Sequence, residues 1–188
     1  MMRLWTVQDK TVLETLRNDK IYFPNFDKSE YLKQIPAMAG LYNVFLNIFC
    51  TLNNTHLNGL VFCFAQMDSN GEVVGIDDFY SFVQKNKRSI KSLWKQFDIK
   101  YNIILELEVN EEFLNLMNID INDFQFLMPP IEPDNIYYHE EDVGNILNEV
   151  ARGVTRVGKL PSGVIQSHLP YIKPEYVVNT FSMFGLLD

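Results

Sequence analysis

The stretch Arg3-Leu4-Trp5-Thr6-Val7-Gln8 opens the chain, and a helical pattern then leads into Ile21-Tyr22-Phe23-Pro24. Its alternation of apolar and polar residues, with a β-favouring composition, predicts a first strand. Asp9 follows as an N-cap candidate for a first helix, and the segment before Pro24 is typical of a short extended piece. An apolar strand, two polar side chains and an aromatic pair could therefore meet at one cleft.

The remaining strands are predicted from short apolar or alternating runs. The Asn70-Gly71 dipeptide tolerates positive φ and predicts a tight turn between two paired strands. Tyr101 to Val109 carries the strongest strand pattern, because it ends in strict alternation. The other predicted strands are Gly59 to Gln66, Glu72 to Val74, Gly163 to Leu169 and Tyr176 to Phe181.

Helical spacing of apolar residues predicts a central helix from Pro36 to Leu52, with proline in its first turn. Shorter helices are predicted at Asp9 to Asn18, Asp77 to Val83, Ser89 to Phe97, Asn110 to Met117 and His139 to Ala151. Asp120 to Asp134 holds three prolines and is predicted as an irregular loop. Strands spread along the chain and joined by unequal segments indicate one α+β domain over residues 1–188, with a mostly antiparallel central sheet and flanking helices.

Charge and composition narrow the classes of partner. The chain has 24 acidic and 16 basic side chains and a net charge of -8, which disfavours binding to duplex nucleic acid. Cys50 and Cys63 lie inside apolar runs and are expected to be reduced thiols. The longest apolar stretch, Ala37 to Leu52, is too short to span a bilayer, and no secretory leader is recognisable at the start. We expect a cytoplasmic protein without a membrane span.

The segment from Gly153 to Lys159 has the spacing of a phosphate-binding P-loop but lacks its context. Leu160 stands where magnesium coordination needs Ser or Thr, and Pro161 follows where a helix should begin. The alternative is a flexible basic loop. Because it gathers Arg152, Arg156 and Lys159 beside glycines, this loop could still hold an anion such as a phosphate.

Two further groups of residues could carry chemistry. Glu106 and Glu108 lie on one face of the strongest strand, where a buried carboxylate could serve as general acid or base, although a sheet with one solvated face explains the pair more simply. The histidines His56, His139 and His168 lack metal-ligand spacing. Of these, His168 is best suited to line a cleft, because it lies beside Gln166 on a late strand.

Several short motifs, in order, resemble a bacterial family of unknown function. Its members begin with a Leu-Trp/Tyr-Thr-Ile-Gln strand and end with an Ile-Gln-Ala-Thr strand before a Glu-Trp-Ile-like segment. The matching stretches here are Leu4 to Gln8, Val61 to Gln66, Ile104 to Val109 with Asp123-Phe124, Ile165-Gln166 and Ile172 to Val177.

The opening strand with its threonine, the helix and the tyrosine-bearing segment are also similar to the start of the ADP-ribosyltransferase fold. In that fold the first strand contributes a His or Arg and a Thr to NAD, an aromatic residue stacks on nicotinamide, and a late Glu or Gln works at the ribose. The resemblance implies that Thr6 contacts NAD, with Trp5 near the position of the His or Arg, and that Tyr22 is the stacking residue. Gln166 takes the catalytic position.

A glutamine can bind a ribose hydroxyl but cannot act as a base, so catalysis would need another carboxylate, for which Glu106 is the candidate. Arg156 of the basic loop is the candidate for a phosphate contact. The leading hypothesis is a degenerate ADP-ribosyltransferase-like protein that binds NAD or a related nucleotide between the first strand and the Gln166 strand. The alternative is a non-catalytic interaction protein, such as an inhibitor or immunity factor, whose acidic surface binds a basic protein partner.

Overall fold

A computed structural model of the chain describes residues 1–76, 78–87, 101–110, 117–127, 140–152 and 162–183. Within these ranges the strands are β1 Met2–Asp9, β2 Val61–Met67, β3 Val73–Val74, β4 Asn102–Val109, β5 Met117–Asp120, β6 Val164–Leu169 and β7 Val177–Ser182. The helices are α1 Lys10–Arg17, α2 Glu30–Gln34, α3 Pro36–Asn53, α4 Phe79–Lys85, α5 Ile121–Leu127 and α6 Glu140–Ala151.

The strands form one sheet in the order β5-β6-β2-β1-β4-β7, and β3 pairs with the end of β2. Every pairing between these strands is antiparallel. The expected α+β class with a mostly antiparallel sheet is therefore confirmed. Among the described residues, no helix combines the length and the apolar character that crossing a membrane requires.

The opening strand lies at the centre of this sheet. β1 pairs with β4 along its whole length, from Met2 opposite Val109 to Asp9 opposite Asn102, and it meets β2 at Trp5 opposite Phe64. β1 therefore has a paired strand on each side. The Asp9 side chain then accepts from Thr11 N at 2.8 Å and caps α1, so that the chain turns from strand to helix as the sequence predicts.

The two faces of the sheet carry different layers, which we name the Trp5 face and the Thr6 face after successive residues of β1. On the Thr6 face, the strands pack with Val12 and Leu16 of α1. On the Trp5 face, one apolar cluster joins Trp5 to α4, and a second joins β5 to α3, α5 and α6. The helices thus cover both faces, as expected for an α+β domain.

Two predicted elements differ from the structure. The predicted helix from Asn110 to Met117 is wrong at its last residue, because Met117 begins strand β5. Its residues 111–116 lie outside the described ranges. The predicted loop from Asp120 begins with helix α5, which the Asp120 side chain supports by accepting from Asn122 N at 2.9 Å. The predicted helix at 89–97 lies outside the described residues.

Candidate functional site

One row of side chains crosses the Trp5 face of the sheet. Directly paired residues of antiparallel strands point to the same face. From β5 to β7 the pairings connect Ile119, Gln166, Phe64, Trp5, Glu106 and Asn179 in that order. The register thus brings three of the residues singled out in the sequence, Gln166, Trp5 and Glu106, to one face.

Trp5 lies in an aromatic setting at the centre of the row. Its ring stacks on Phe79 of α4 with centroids 4.2 Å apart, and Phe181 of β7 lies 5.3 Å away. The indole is buried, yet Trp5 Nε1 has no hydrogen-bond partner among the described residues. A buried N–H without a partner is costly, which makes this atom a candidate contact for a ligand.

Gln166 lies between the two apolar clusters of the Trp5 face. It pairs with Phe64, a member of the Trp5 cluster, on one side and with Ile119, a member of the second cluster, on the other. The side chain is buried, and Gln166 Oε1 finds no donor in the part of the chain that the structure describes. A donor from a ligand would remove the cost of this buried acceptor.

His168 lies two residues further along β6 and therefore faces the same way as Gln166. Its Nδ1 is 2.7 Å from Met117 O. Because a carbonyl oxygen only accepts, Nδ1 carries the proton and Nε2 keeps a lone pair. Within the described ranges Nε2 has no donor, and the ring lies against Phe62 and Phe45 at 4.8 and 5.3 Å.

Burial lowers the pKa of His168 to about 4, although its bond to Met117 O opposes that shift. The imidazole is therefore neutral in the folded protein and takes up a proton on unfolding below its ordinary pKa of 6.5. We expect the free energy of unfolding to fall as the pH drops from 6.5 to 4, with a His168 contribution approaching about 1.4 kcal/mol per pH unit. Urea unfolding at a series of pH values measures this slope.

The matched variant for this prediction is His168→Asn, because the asparagine amide can still donate to Met117 O but does not titrate. In this variant the slope of the unfolding free energy against pH, between pH 4 and 6.5, should be smaller by about 1.4 kcal/mol per pH unit, which corresponds to one bound proton. His56→Asn, which removes an exposed imidazole, is the control for the loss of a histidine. Equal slopes for wild type and His168→Asn would contradict a neutral buried His168.

Glu106 lies beside Trp5 in the row, and both of its carboxylate oxygens face donors. Asn179 Nδ2 donates to Glu106 Oε2 at 2.7 Å, and Arg3 Nη1 is 3.6 Å from Glu106 Oε1. Arg3 also reaches Glu108 Oε2 at 3.5 Å. The two carboxylates predicted to share a face therefore do so, with Arg3 between them. Glu106 links β1, β4 and β7, and it would have to leave these partners to act as a base.

The structure places Thr6 and Tyr22 away from this row. Thr6 points to the opposite face from Trp5, and its hydroxyl donates to Phe62 O at 2.7 Å and accepts from Gln8 Nε2 at 2.7 Å. Tyr22 packs against the apolar cluster of the Thr6 face, where burial and then the charge of Asp9 raise its pKa. Thr6 and Gln166 thus do not line one cleft, and the Thr6 hydroxyl is already engaged.

Most of the basic loop lies outside the described residues, so its predicted anion contact stays a prediction. Arg156 and Lys159 lie outside the described residues, while Arg152 is exposed at the end of α6. Among the described His, Cys, Asp and Glu side chains, no group of three could hold a metal ion. Cys63, a free thiol on the Thr6 face, is buried, and burial raises its pKa.

Sequence reasoning missed Arg3, Asn179 and Phe79 as neighbours of the candidate residues. Arg3 could have been found from its place two residues before Trp5, because residues at this spacing share a face. Asn179 and Phe79 come from β7 and α4, and no local pattern indicates which strand or helix they contact.

Comparison with known proteins gives no significant match: no family model, no curated protein and no solved structure aligns with this chain.

Proposed function

We propose that this chain is a degenerate ADP-ribosyltransferase-like protein that binds NAD or a related nucleotide on the Trp5 face, above the row Gln166-Phe64-Trp5. The single observation that carries this is the pair of buried, unpartnered polar atoms in that row, Trp5 Nε1 and Gln166 Oε1, on either side of an aromatic ring. Both atoms lack partners among the described residues. Mostly apolar surroundings with a few polar groups are typical of small-molecule and cofactor sites.

The spacing of the row suits a planar group that lies across β2. Trp5 and Gln166 are separated by two strand spacings, about 10 Å between Cα atoms. Phe64 lies between them and would form the floor. The indole N–H can donate to a ligand carbonyl or ring nitrogen, and the Gln166 oxygen can accept from a ligand amide or hydroxyl. Both groups would be satisfied only with the ligand bound.

The same row supports binding better than transfer. Gln166 carries no charge to stabilise an oxocarbenium ion, and Glu106 lies three strand spacings from it, about 14 Å between Cα atoms. Glu106 is also held by Asn179 and Arg3. The Glu106 carboxylate therefore does not reach the atoms that Gln166 would contact. NAD should be bound without efficient cleavage of its glycosidic bond.

The test is thermal unfolding with NAD for wild type, Trp5→Phe, Gln166→Met and Thr6→Val. At a hundred times its dissociation constant, NAD should stabilise the wild type by about 2.7 kcal/mol. Trp5→Phe keeps the stack on Phe79 and Gln166→Met keeps the volume, so each should fold and lose about tenfold in affinity through one missing hydrogen bond. Thr6→Val, on the opposite face, should bind as the wild type does.

The ligand-free proteins separate a binding role from a structural one. Gln166→Met removes an unpaired buried acceptor and should leave the unliganded protein as stable as wild type or slightly more stable. If Gln166 had a structural role, the same change would instead destabilise the protein. No shift at millimolar NAD would sink the proposal. Binding of a basic protein partner that weakens steeply with salt would then favour the acidic interaction protein, in line with the net charge of -8.

A further inference from the structure

The buried, unpartnered polar atoms of the Trp5 face differ in kind. Trp5 Nε1 is a donor, whereas Gln166 Oε1 and His168 Nε2 are acceptors. The side chains expose 2%, 3% and 0% of their surface. Elsewhere on the same face, buried Glu106 has its donors within the protein.

The two acceptors lie on one strand and face one way. Gln166 and His168 are two residues apart on β6, about 7 Å between Cα atoms. His168 cannot turn Nε2 into a donor without giving up its bond to Met117 O, because that bond needs the proton on Nδ1. The imidazole lies against the rings of Phe62 and Phe45, and together with the bond to Met117 O these contacts hold it in place.

We propose that Trp5 Nε1, Gln166 Oε1 and His168 Nε2 together recognise a planar group in which an NH2 lies beside a hydrogen-bond acceptor. The amino protons go to the two acceptors, and the adjacent acceptor receives the indole N–H. This chemistry is shared by a primary carboxamide, as on nicotinamide, and by the amino edge of adenine. The inference rests on the proposed nucleotide site and adds a selection rule to it: a ligand with an oxygen in place of the amino group is rejected.

The rejection has a direct electrostatic cause. A carboxylate or a keto oxygen would face two acceptor lone pairs, and neither Gln166 Oε1 nor His168 Nε2 could bond to it. Leaving these buried acceptors unpaired against a like partial charge costs more than one hydrogen bond. The lowered pKa of His168 keeps the ring neutral near pH 7, so it does not attract a carboxylate.

The test is calorimetric titration of the full chain with two pairs of mononucleotides. Nicotinamide mononucleotide is compared with nicotinic acid mononucleotide, and adenosine monophosphate with inosine monophosphate. We expect the amino-bearing member of one pair to bind at least about tenfold more tightly. The pair that shows this ratio identifies which ring occupies the site. Equal affinities within both pairs would overturn the inference and leave nucleotide binding intact, whereas no binding of any of the four would overturn both.

Two substitutions at His168 form a matched pair. His168→Asn keeps a donor for Met117 O and lacks an acceptor at the Nε2 position. The ratio of affinities for the amino-bearing and oxygen-bearing nucleotides should therefore fall at least about threefold. His168→Gln places an amide oxygen near that position and should retain more of the ratio than His168→Asn. A structural role of His168 would change the stability of both variants without moving the ratio, and an unchanged ratio in folded His168→Asn would remove His168 from the recognition set.

Discussion

Replacing Asp120 with alanine is expected to lower the free energy of unfolding by about 3 kcal/mol. The carboxylate is buried at the end of β5. Its Oδ1 accepts from Asn122 N at 2.9 Å, and its Oδ2 accepts from Ser162 N at 2.9 Å and Ser162 Oγ at 3.1 Å. The change would remove the cap of α5 and leave the partly buried Asn122 N and Ser162 N without this acceptor.

Asp9 provides a matched control for this substitution. Its Oδ1 also accepts from a backbone N–H two residues later, Thr11 N at 2.8 Å, but the residue is exposed. Asp9→Ala should therefore cost only about 1 kcal/mol, the usual cost of a lost cap. The difference between the variants, measured by urea unfolding, reports the link from Asp120 to the segment before β6. Equal losses would show that this link contributes nothing.

Asp120 illustrates what local sequence patterns leave out. Met117 to Asp120 alternates apolar and polar residues over only four positions, and a proline-rich stretch follows soon after. The prolines favoured a loop for the whole region, yet α5 fits before the first of them. The partner that holds the region, Ser162, is 42 residues away, and no pattern around Asp120 predicts it.

The stronger strands were predictable because their own residues decide them. Tyr101 to Val109 ends in strict alternation, which predicts that Glu106 and Glu108 share a face, and the structure places both beside Arg3. The apolar run around Val61 to Gln66 was too short for a helix and forms β2. In both cases the local pattern agrees with the tertiary structure.

The composition of the site depends instead on register. Thr6 and Gln166 lie on strands separated by β2, and whether they share a face depends on pairings between residues far apart in the chain. A shift of one residue in either pairing would move every side chain of a strand to the other face. Resemblance at short motifs could therefore select Trp5, Thr6 and Gln166 as candidates, but only the observed register groups Trp5 with Gln166.

This grouping changes the chemical interpretation of the opening strand. The resemblance places Trp5 near the position where a cationic or imidazole side chain is expected, and an indole supplies neither a charge nor a base there. With Nε1 buried and without a partner among the described residues, Trp5 becomes the donor of the proposed site. Thr6, whose hydroxyl bonds to Phe62 O and Gln8, becomes a residue that holds β1 to β2.

Gly75→Ala is expected to destabilise the protein by about 3 kcal/mol and to weaken nucleotide binding at the same time. A Cβ atom at this position would lie 2.7 Å from Arg3 N and 3.3 Å from Arg3 O, both of them backbone atoms of β1. The two segments are also tied together, because Ile76 N donates to Arg3 O at 3.1 Å. The methyl group can be accommodated only if the Gly75 segment and β1 move apart, and Trp5 lies two residues from the clash.

Gly40→Ala is the control, because no atom lies within 4 Å of a Cβ built at Gly40 in helix α3. Alanine in a helix interior should stabilise by about 0.5 to 1 kcal/mol, so the two glycine substitutions are expected to have opposite signs. Urea unfolding gives the stabilities, and titration of each folded variant with NAD gives the affinities. If Gly75→Ala lost stability but bound NAD as the wild type does, NAD binding would not depend on the contact between Gly75 and β1, and this prediction would be contradicted. If Gly75→Ala loses both stability and NAD affinity while Gly40→Ala keeps full affinity, nucleotide binding depends on the position of β1, the central strand.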